Sequence, residues 1–298
     1  MAELDTLYGT KNPIFQAGMG GIAGPELTAA ISNVGGLGHL GAIRLSAKDL
    51  KNWIAQTKAL TDKPFAVNLV PPGGGPDGFD AQLDVTISEK PKAVSLYWGD
   101  FGSVIPKLKE AGISVMVQVG SLAEAQKALS DGADTIIAQG IEAGGHVKSK
   151  IGLMSILPDV LKIAGTTPVL AAGGLSNPSK IKAVLGMGAA GVWVGTSFIV
   201  ATESNAHEIY RERLIEATVD DTHHGHFYSY GWPIGTPYRV IKPGKNYSLR
   251  NFKAAGARRS DSEAFARTVQ LYAGQGVGDV KEKKSAAEIL NDLSADLY

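Results

Sequence analysis

One short segment of the sequence combines acid–base side chains with unusual backbone freedom. The apolar run Thr135–Gln139 is followed directly by Gly140-Ile141-Glu142-Ala143-Gly144-Gly145-His146. Glycine permits positive φ angles and lets main-chain N–H groups approach a ligand closely. Histidine is the residue type that ordinarily titrates near neutral pH, so His146 could be a catalytic base, a hydrogen-bond partner or a plain loop residue. Glu142 could instead accept hydrogen bonds from backbone N–H groups of its own turn. We interpret the segment as the edge of an active site.

Two further glycine segments follow apolar runs later in the chain. Ala172-Gly173-Gly174 ends the run that begins at Pro168, and Gly195-Thr196 follows the run Gly191–Val194. Glycines can present backbone N–H groups to an anion, and a helix predicted to begin after Asn177 would direct its positive end there. Glycine could also stand at these positions only because it is small. We predict a phosphate site, which a cofactor such as FMN would occupy.

A segment near the amino terminus permits a different interpretation. Gly18-Met19-Gly20-Gly21-Ile22-Ala23 fits the pattern G-x-G-x-x-A between a predicted strand and a predicted helix, as in a dinucleotide-binding fold. That fold also needs a carboxylate at the end of its second strand, whereas this chain has Ile43-Arg44 there. In a barrel, the same glycines would let Ala17, Gly18 and Met19 lie flat against a planar ring.

Two amide side chains stand near the ends of predicted strands. Asn68 lies in Phe65–Leu69, and Gln118 lies in Ser114–Val119. Each could bond the ring or ribityl oxygens of a flavin, or could cap a loop.

A group of histidines raises the question of a metal. His223, His224 and His226 do not have the spacing of two ligands on one helix, so we predict no metal site. The aromatic residues within 228–232 could line a substrate pocket or form the small core of an appended domain.

Short apolar runs that alternate with longer amphipathic stretches must position these residues. Continuous apolar, often β-branched runs are typical of parallel strands covered by helices. The predicted strands are Pro13–Ala17, Leu37–Ala42, Phe65–Leu69, Ala93–Trp98, Ser114–Val119, Thr135–Gln139, Pro168–Ala172 and Gly191–Val194. The predicted helices between them are Pro25–Asn33, Ala47–Leu60, Ala81–Glu89, Val104–Ala111, Leu122–Ser130, Met154–Ile163 and Pro178–Leu185. Eight strand–helix units in about 200 residues predict an α/β fold of the (β/α)8 TIM-barrel type rather than an open sheet.

The pattern changes after the eighth predicted strand. Helices are predicted over Ala206–Ala217, from Ser262 to Ala273 and from Ala286 to the end, with a segment rich in His, Tyr, Gly and Pro between the first two. The predicted organisation is a cofactor-binding barrel over 1–202, an appended helical and loop subdomain on the substrate side over 203–275, and a C-terminal helix within 276–298 that packs back on the barrel.

Composition limits the possible functions. The 298 residues contain 29 Lys and Arg and 29 Asp and Glu, so no net charge favours binding to nucleic acid or to an anionic membrane. The absence of cysteine excludes disulfides, thiolate metal sites and a cysteine nucleophile. Neither a signal peptide nor a membrane-spanning run is visible, so we expect a soluble cytoplasmic protein.

Several of these segments together resemble the nitronate monooxygenase family, formerly called 2-nitropropane dioxygenases. The segments are Pro13-Ile14-Phe15-Gln16-Ala17-Gly18-Met19, Gly35-Gly36-Leu37-Gly38, Phe65–Leu69, Gly140–His146, Ala172-Gly173-Gly174 and Gly195-Thr196. The resemblance covers at least residues 12–240, including Glu203-Ser204 and Gly235–Arg239. The FMN-dependent enoyl-acyl-carrier-protein reductase II is similar in most of the same segments, including the turn that ends at His146.

The resemblance implies non-covalently bound FMN at the carboxyl ends of the barrel strands, with His146 facing the substrate as the catalytic residue. The cofactor-binding residues that it implies are Ala17, Gly18, Met19, Asn68, Gln118, Gly144, Gly145, Ala172, Gly173, Gly174, Gly195 and Thr196. Gln118 stands where some relatives have a lysine. The activity implied is oxidation of a nitronate by FMN and O2 to a carbonyl compound and nitrite. His146 would stabilise the anionic substrate or remove the α-proton of a neutral nitroalkane.

Two other functions remain open at this stage. An NAD(P)H-dependent flavin reductase would act on an enoyl thioester or a quinone, and it needs no separate nicotinamide fold if the dinucleotide binds over the flavin ring. A flavin-binding or sugar-phosphate-binding sensor would need neither His146 nor a path for O2. The sequence predicts no oligomeric state and no role for the stretch 222–232.

Overall fold

The computed structural model describes residues 2–226, 232–241, 255–295 and 297. Eight parallel strands form a barrel, which confirms the predicted fold class. The barrel strands are β1 (Ile14–Gln16), β2 (Gly38–Gly41), β3 (Phe65–Leu69), β4 (Ala93–Leu96), β5 (Ser114–Val119), β6 (Thr135–Gln139), β8 (Val169–Ala172) and β9 (Gly191–Val194). A two-residue strand between them, β7 (Gly145–His146), belongs to a second sheet.

The barrel closes at its first strand. Strand β1 pairs with β9 through Ile14 and Val192, and it meets β2 through a bridge between Phe15 and Leu37. The Gln16 N–H donates to the Leu37 carbonyl at 3.0 Å, which extends that contact. The segment Gly18–Ala23 therefore lies in the loop after the first barrel strand, and no dinucleotide-binding fold forms there.

Helices precede, separate and follow the barrel strands. They are α1 (Ala2–Tyr8), α2 (Pro25–Asn33), α3 (Ala47–Leu60), α4 (Gly78–Glu89), α5 (Val104–Glu110), α6 (Leu122–Ser130), α7 (Leu153–Ala164), α8 (Pro178–Gly186), α9 (Thr196–Ile199), α10 (Glu208–Glu216), α11 (Glu263–Thr268) and α12 (Ala286–Ser294). The side chains of Ser46, Ser121 and Asn177 accept a backbone N–H in the first turns of α3, α6 and α8, as expected for N-caps. Helix α1 was not predicted.

Alternate strand residues point into the barrel, because side chains of a strand alternate between its two faces. The inner layer is formed by Phe15, Leu37, Ala66, Ala93, Met116, Ile137, Leu170 and Trp193. Leu4 and Tyr8 of α1 join this layer, and the Tyr8 hydroxyl lies 2.6 Å from Thr135 Oγ1 at the start of β6. Helix α1 therefore closes the amino-terminal end of the barrel, and only the carboxyl-terminal end can open to a ligand.

Helix α12 packs against α2 and α8, where an eighth barrel helix would otherwise lie. Helix α9 is only four residues long, so it cannot fill that position. Ile289, Leu290 and Leu293 form the buried face of α12. The predicted division at residues 202 and 275 stays a prediction.

The appended part contains a small sheet that was not predicted. Strands β10 (Thr222–Gly225), β11 (Tyr238–Ile241) and β12 (Leu271–Tyr272) are antiparallel neighbours, and β7 pairs with β11. The helix predicted from Ser262 to Ala273 was wrong in its second half, because α11 ends at Thr268 and the chain then pairs with β11. The appended part therefore contains strands in addition to the predicted helices and loops.

In the described parts of the chain, no helix is long and apolar enough to cross a membrane.

Candidate active site

A cavity of about 590 Å³ opens at the carboxyl ends of the barrel strands. Every residue that the sequence predicted for the site lines it: Ala17, Gly18, Met19, Asn68, Gln118, Gly144, Gly145, His146, Ala172, Gly173, Gly174, Gly195 and Thr196. The structure thus brings the whole predicted set together around one space. The individual roles of these residues stay predictions.

The two-residue period of the strands explains why four of these side chains face inward. Ala17, Asn68, Gln118 and Ala172 each stand two positions after a residue of the inner layer, namely Phe15, Ala66, Met116 and Leu170. They therefore form the next layer toward the carboxyl end. Two of the four are alanines and two are amides, so this layer leaves open space and offers hydrogen-bonding groups where the layer beneath it is apolar.

Two adjacent glycines after β8 have backbone conformations that other residues rarely adopt. Gly173 has φ +117° and Gly174 has φ +70°. A Cβ atom on Gly173 would lie 3.2 Å from the Gly140 carbonyl oxygen, and one on Gly174 would lie 3.2 Å from the Glu142 Cβ. The backbone conformation therefore favours glycine at both positions, and the space for a side chain at this wall is tight.

Thr196 adds a hydroxyl to the same wall. Its Oγ1 accepts the Gly274 N–H at 3.0 Å, so its own hydroxyl proton is available to a second acceptor. With the neighbouring glycines, this wall offers backbone and hydroxyl donors, which are groups suited to an anion.

The opposite wall is fixed by Asn68. Its Nδ2 donates to Ser95 Oγ at 2.9 Å, which orients the amide. A Cβ atom on Gly18 would overlap the Asn68 side chain, so glycine is needed there for the loop after β1 to approach β3. Gln118 also lines the cavity.

His146 is held through its backbone by an extended hydrogen-bond network. Strand β7 pairs with β11, where His146 stands opposite Tyr238. The Gln139 amide donates to the His146 carbonyl at 3.2 Å, and the Tyr97 hydroxyl donates to Gln139 Oε1 at 2.8 Å. Tyr97 also accepts the Lys148 N–H at 3.1 Å. Strands β4, β6 and β11 thus jointly fix the position of His146.

Aromatic rings surround the His146 side chain. The Trp232 ring lies 3.6 Å from the imidazole between centroids, and the Trp98 ring lies 6.2 Å away with an edge-on geometry. Tyr272 Oη lies 3.3 Å from His146 Nε2. Trp232 lines the cavity and also packs in a buried cluster with Tyr238 and Val240 of the small sheet, so both interpretations of the aromatic stretch apply to it. Tyr228 and Tyr230 lie outside the described residues.

Burial lowers the pKa of His146 to about 3. The nearby backbone of Pro237 opposes this lowering of the pKa, and the positive charge of Arg44 adds to it. The imidazole is therefore neutral near pH 7, and the same burial makes it a weaker base than an exposed histidine.

Arg44 stands at the end of β2 with an unusual backbone conformation. Its φ is +64°, and Trp98 after β4 has φ +66°. Non-glycine residues rarely adopt such angles, and those that do concentrate at functional sites. Arg44 is exposed and lines the cavity, so its charge attracts anions to the opening.

Glu142 has a structural contact rather than one to the cavity. Its carboxylate accepts the Leu153 N–H at 2.9 Å and 3.2 Å, at the start of α7. The N-cap position of that helix is Gly152, which has no side chain to accept the bond. Glu142 thus bonds a backbone N–H, as one interpretation expected, but on α7 rather than in its own turn.

Four residues of this site were not predicted. The sequence could have indicated Gln139, because it is the last residue of a strand and stands two positions after the inward-facing Ile137, so its side chain faces the same end of the barrel. Tyr97 lies within the predicted strand Ala93–Trp98 and Arg44 follows the predicted strand Leu37–Ala42, but neither residue matches a motif. Tyr272 had no local signal, because it reaches the site only through the pairing of β12 with β11.

The histidine cluster forms no metal site within the described ranges. No group of three or more His, Cys, Asp or Glu side chains there lies close enough to hold a metal ion. His223 and His224 are consecutive on β10 and therefore point to opposite faces of the sheet.

Comparison with known proteins places this geometry in a family. The nitronate monooxygenase family model matches residues 2–75 and 70–296. A curated relative, the (3aS,4S,5R,7aS)-5-hydroxy-7a-methyl-1-oxo-octahydro-1H-indene-4-carboxyl-CoA dehydrogenase of Rhodococcus jostii, is 38% identical over 221 residues, which are 74% of this chain. The chain spans 61% of the length of that relative.

Two solved structures are similar over nearly the whole chain. FabK from Thermotoga maritima has a TM-score of 0.85 at 29% identity, covering 97% of this chain and 94% of its own. The nitroalkane oxidase from Streptomyces ansochromogenes has a TM-score of 0.82 at 30% identity, covering 99% and 97%. Because the family model extends over almost all of the sequence, the chain belongs to the nitronate monooxygenase family.

Proposed function

We propose that the protein is an FMN-dependent oxidoreductase that oxidises alkyl nitronates with O2 to a carbonyl compound and nitrite. The observation that carries this proposal is a single cavity in which a wall of glycines faces a buried, neutral His146 with Arg44 at the opening. The nitroalkane oxidase among the structural neighbours supports the same substrate class.

The residues present fit FMN. Gly173, Gly174, Gly195 and Thr196 would hold its phosphate, since they offer backbone and hydroxyl donors and no carboxylate. Ala17, Gly18 and Met19 would contact the ring, because small or flexible side chains leave room for a planar group. The remaining contacts would come from Asn68, Gln118, Gly144, Gly145 and Ala172. The cavity volume of about 590 Å³ lies in the range of sites that bind small molecules. Bound FMN supplies an electron acceptor that O2 can reoxidise.

His146 and Arg44 would act on the substrate. Arg44 attracts the negative charge of a nitronate toward the opening. A nitronate has already lost its α-proton, whereas a neutral nitroalkane must first transfer that proton to the neutral imidazole. The rings of Trp232 and Tyr272 limit the access of water to His146.

An anaerobic mixing experiment tests the electron donor. The purified protein should show a flavin spectrum that is bleached rapidly by an alkyl nitronate and not by NADH. Rapid bleaching by NADH with no effect of nitronate would replace this proposal by a reductase. A colourless protein that FMN cannot reconstitute would contradict both.

Substitution of His146 tests its part in the reaction. His146→Asn should retain the flavin spectrum and lose most of its turnover of a neutral nitroalkane, because Asn is not a base near neutral pH. His226→Asn is the matched control, since His226 is exposed and does not line the cavity. Unchanged turnover in His146→Asn removes this residue from the mechanism.

A second candidate is an NAD(P)H-dependent reductase of an enoyl thioester or a quinone. It is favoured by the similarity to FabK and by the length of the cavity, which continues from His146 to Arg258 and Phe265. A longer substrate or a dinucleotide would use this extension. Rapid NADH bleaching followed by reoxidation with a quinone or an enoyl thioester would support it.

We also propose that the barrel over 1–202 carries the cofactor and that 203–275 completes the substrate side. Trp232 and Tyr272 of the appended part line the cavity near His146, whereas the glycines of the phosphate wall belong to the barrel.

A further inference from the structure

The short 3-10 helix Gln275–Asp279 packs against the wall of glycines that we propose for the cofactor phosphate. Just before this helix, the Gly274 N–H donates to Thr196 Oγ1 at 3.0 Å. A Cβ atom on Gly276 would lie 2.7 Å from Ser176 Oγ, so the helix is in close contact with the loop after β8. Gly274, Gly276 and Ser176 all line the cavity. The carboxyl-terminal part of the chain thus reaches the glycine wall through this helix.

One carboxylate oxygen of the 3-10 helix accepts three hydrogen bonds from the segment that begins α8. Asp279 Oδ2 accepts from Ser176 Oγ at 2.6 Å and from Asn177 Nδ2 at 2.9 Å. The same oxygen accepts from Lys180 Nζ at 2.7 Å. Burial opposes ionisation of Asp279, but these hydrogen bonds outweigh it and hold the pKa of the carboxyl below its ordinary value. The carboxylate is therefore charged at neutral pH.

The three donors are groups that could otherwise bind an anion beside the glycine wall. The amino-terminal end of a helix attracts negative charge, and Lys180 adds a full positive charge in the first turn of α8. Ser176 lines the cavity itself, and its hydroxyl proton is directed to Asp279 because a carboxylate can only accept. The position next to the wall thus already contains a negative charge, which belongs to the protein.

We propose that Asp279 is a specificity-determining residue, which limits the glycine wall to one phosphate group and so selects FMN against FAD. A second phosphate beside the first would approach the Asp279 carboxylate, and two neighbouring anions repel one another. Lys180 does not offset this repulsion, because its charge is already paired with Asp279. This inference rests on the proposed function for the identity of the flavin, whereas the preference for one phosphate over two does not depend on it.

Charge rather than lack of room separates the two flavins in this proposal. The side chains of Asp279 and Lys180 are 34% and 44% exposed, so a ligand that extends past them reaches solvent. The adenosine of FAD would therefore lie outside the barrel. Removal of the negative charge, with the shape of the side chain retained, should then be enough to admit the second phosphate.

Competition between the two flavins tests the proposal. The purified protein is equilibrated with equal concentrations of FMN and FAD, and the bound flavins are released and quantified by chromatography. The wild type should hold FMN almost alone. In Asp279→Asn, the ratio of bound FAD to bound FMN should rise about tenfold, because the repulsion is gone and the donors are free to bind a phosphate. A merely structural role of Asp279 would weaken both flavins together, so an unchanged ratio would overturn the proposal.

Two further variants control the experiment. Asp131 also accepts a hydrogen bond from a lysine, Lys127, but stands at the carboxyl end of α6 rather than at the start of α8. Asp131→Asn should therefore keep the wild-type ratio, and an equal rise in this variant would contradict the proposal. In the double variant Asp279→Asn, Lys180→Met, the ratio should be lower than in Asp279→Asn alone, because the freed ammonium group is missing. Equal ratios in the two would overturn the part assigned to Lys180.

Inorganic anions separate this proposal from the proposed function. If the wild type binds neither flavin, the proposed function fails. Calorimetric titration with phosphate and with pyrophosphate then decides the role of Asp279. The affinity for pyrophosphate relative to phosphate should rise about tenfold in Asp279→Asn, and an unchanged relative affinity would overturn the inference.

Discussion

Acidification should destabilise this fold well above the pH at which carboxylates titrate, because two imidazoles are buried in their neutral form. His39 in β2 has 0% exposure inside the barrel, and its ring lies 4.4 Å from that of Trp193 between centroids. Its Nδ1 donates to the Leu37 carbonyl at 3.3 Å, while its Nε2 has no hydrogen-bond partner in the described ranges. Burial lowers the pKa of His39 to about 3, as it does for His146.

The sign of the effect follows from linkage. Below about pH 6.5, the unfolded chain binds a proton at each of these histidines, whereas the folded chain does not until about pH 3. The stability due to a neutral histidine is therefore complete above about pH 6.5 and falls as the pH decreases. Between about pH 7.5 and about pH 5, each histidine should lower the free energy of unfolding by about 2 kcal/mol, and the two together by about 4 kcal/mol.

Substitution of His39 isolates half of this effect. Urea unfolding followed by circular dichroism at both pH values gives the free energy of unfolding of the wild type and of His39→Asn. The variant should lose only about 2 kcal/mol on acidification, because only His146 remains of the two. The cavity left by the smaller side chain destabilises the variant at both pH values and cancels in the difference. His226→Asn, at an exposed position, should retain the loss of the wild type. An equal loss in His39→Asn and in the wild type would refute the reasoning.

Gly174→Ala should raise the Kd of FMN about tenfold, because a residue other than glycine is strained at a φ of +70°. The Kd is measured by the quenching of flavin fluorescence. Gly235 also has a positive φ, of +82°, but does not line the cavity, so Gly235→Ala should leave the Kd unchanged. Tyr97→Phe should lower the free energy of unfolding by about 1–2 kcal/mol in urea titrations, because Gln139 Oε1 loses a buried hydrogen-bond donor. An unchanged free energy of unfolding would show that this hydrogen bond does not stabilise the fold. Glu142→Gln should lower the free energy of unfolding by about 1 kcal/mol in the same assay, because the negative charge at the start of α7 is lost. A variant that is more stable than the wild type would show that Glu142 does not stabilise this helix.

The barrel was predictable because its signals are local. Strand Phe65–Leu69 is a short apolar run with turn residues on both sides, and helix Ala47–Leu60 has a serine N-cap and an amphipathic period, so both bounds were predicted as found. The small sheet was not predictable in this way. Its strands have two to four residues, too few for a period, and Gly145 finds its partner at Arg239, far along the chain.

The same distinction applies to the site. The glycines at the ends of strands could be predicted because a positive φ restricts the residue type. The surroundings of His146 could not, since Trp232 and Tyr272 reach it only through the pairing of β7, β11 and β12. Sequence alone therefore predicts the glycine wall of the cavity better than the surroundings of His146.

The pairing of β7 with β11 imposes an order on the synthesis of this protein. When only the first 200 residues have left the ribosome, the nascent chain already contains every glycine of the proposed phosphate wall. It also contains β9, the strand that closes the barrel by pairing with β1. The nascent chain at that moment still lacks Trp232 and Tyr272, so the His146 imidazole has neither the indole ring beside it nor the hydroxyl within hydrogen-bond distance of its Nε2. A cofactor could thus be captured during translation, before the chain is able to perform chemistry on a substrate.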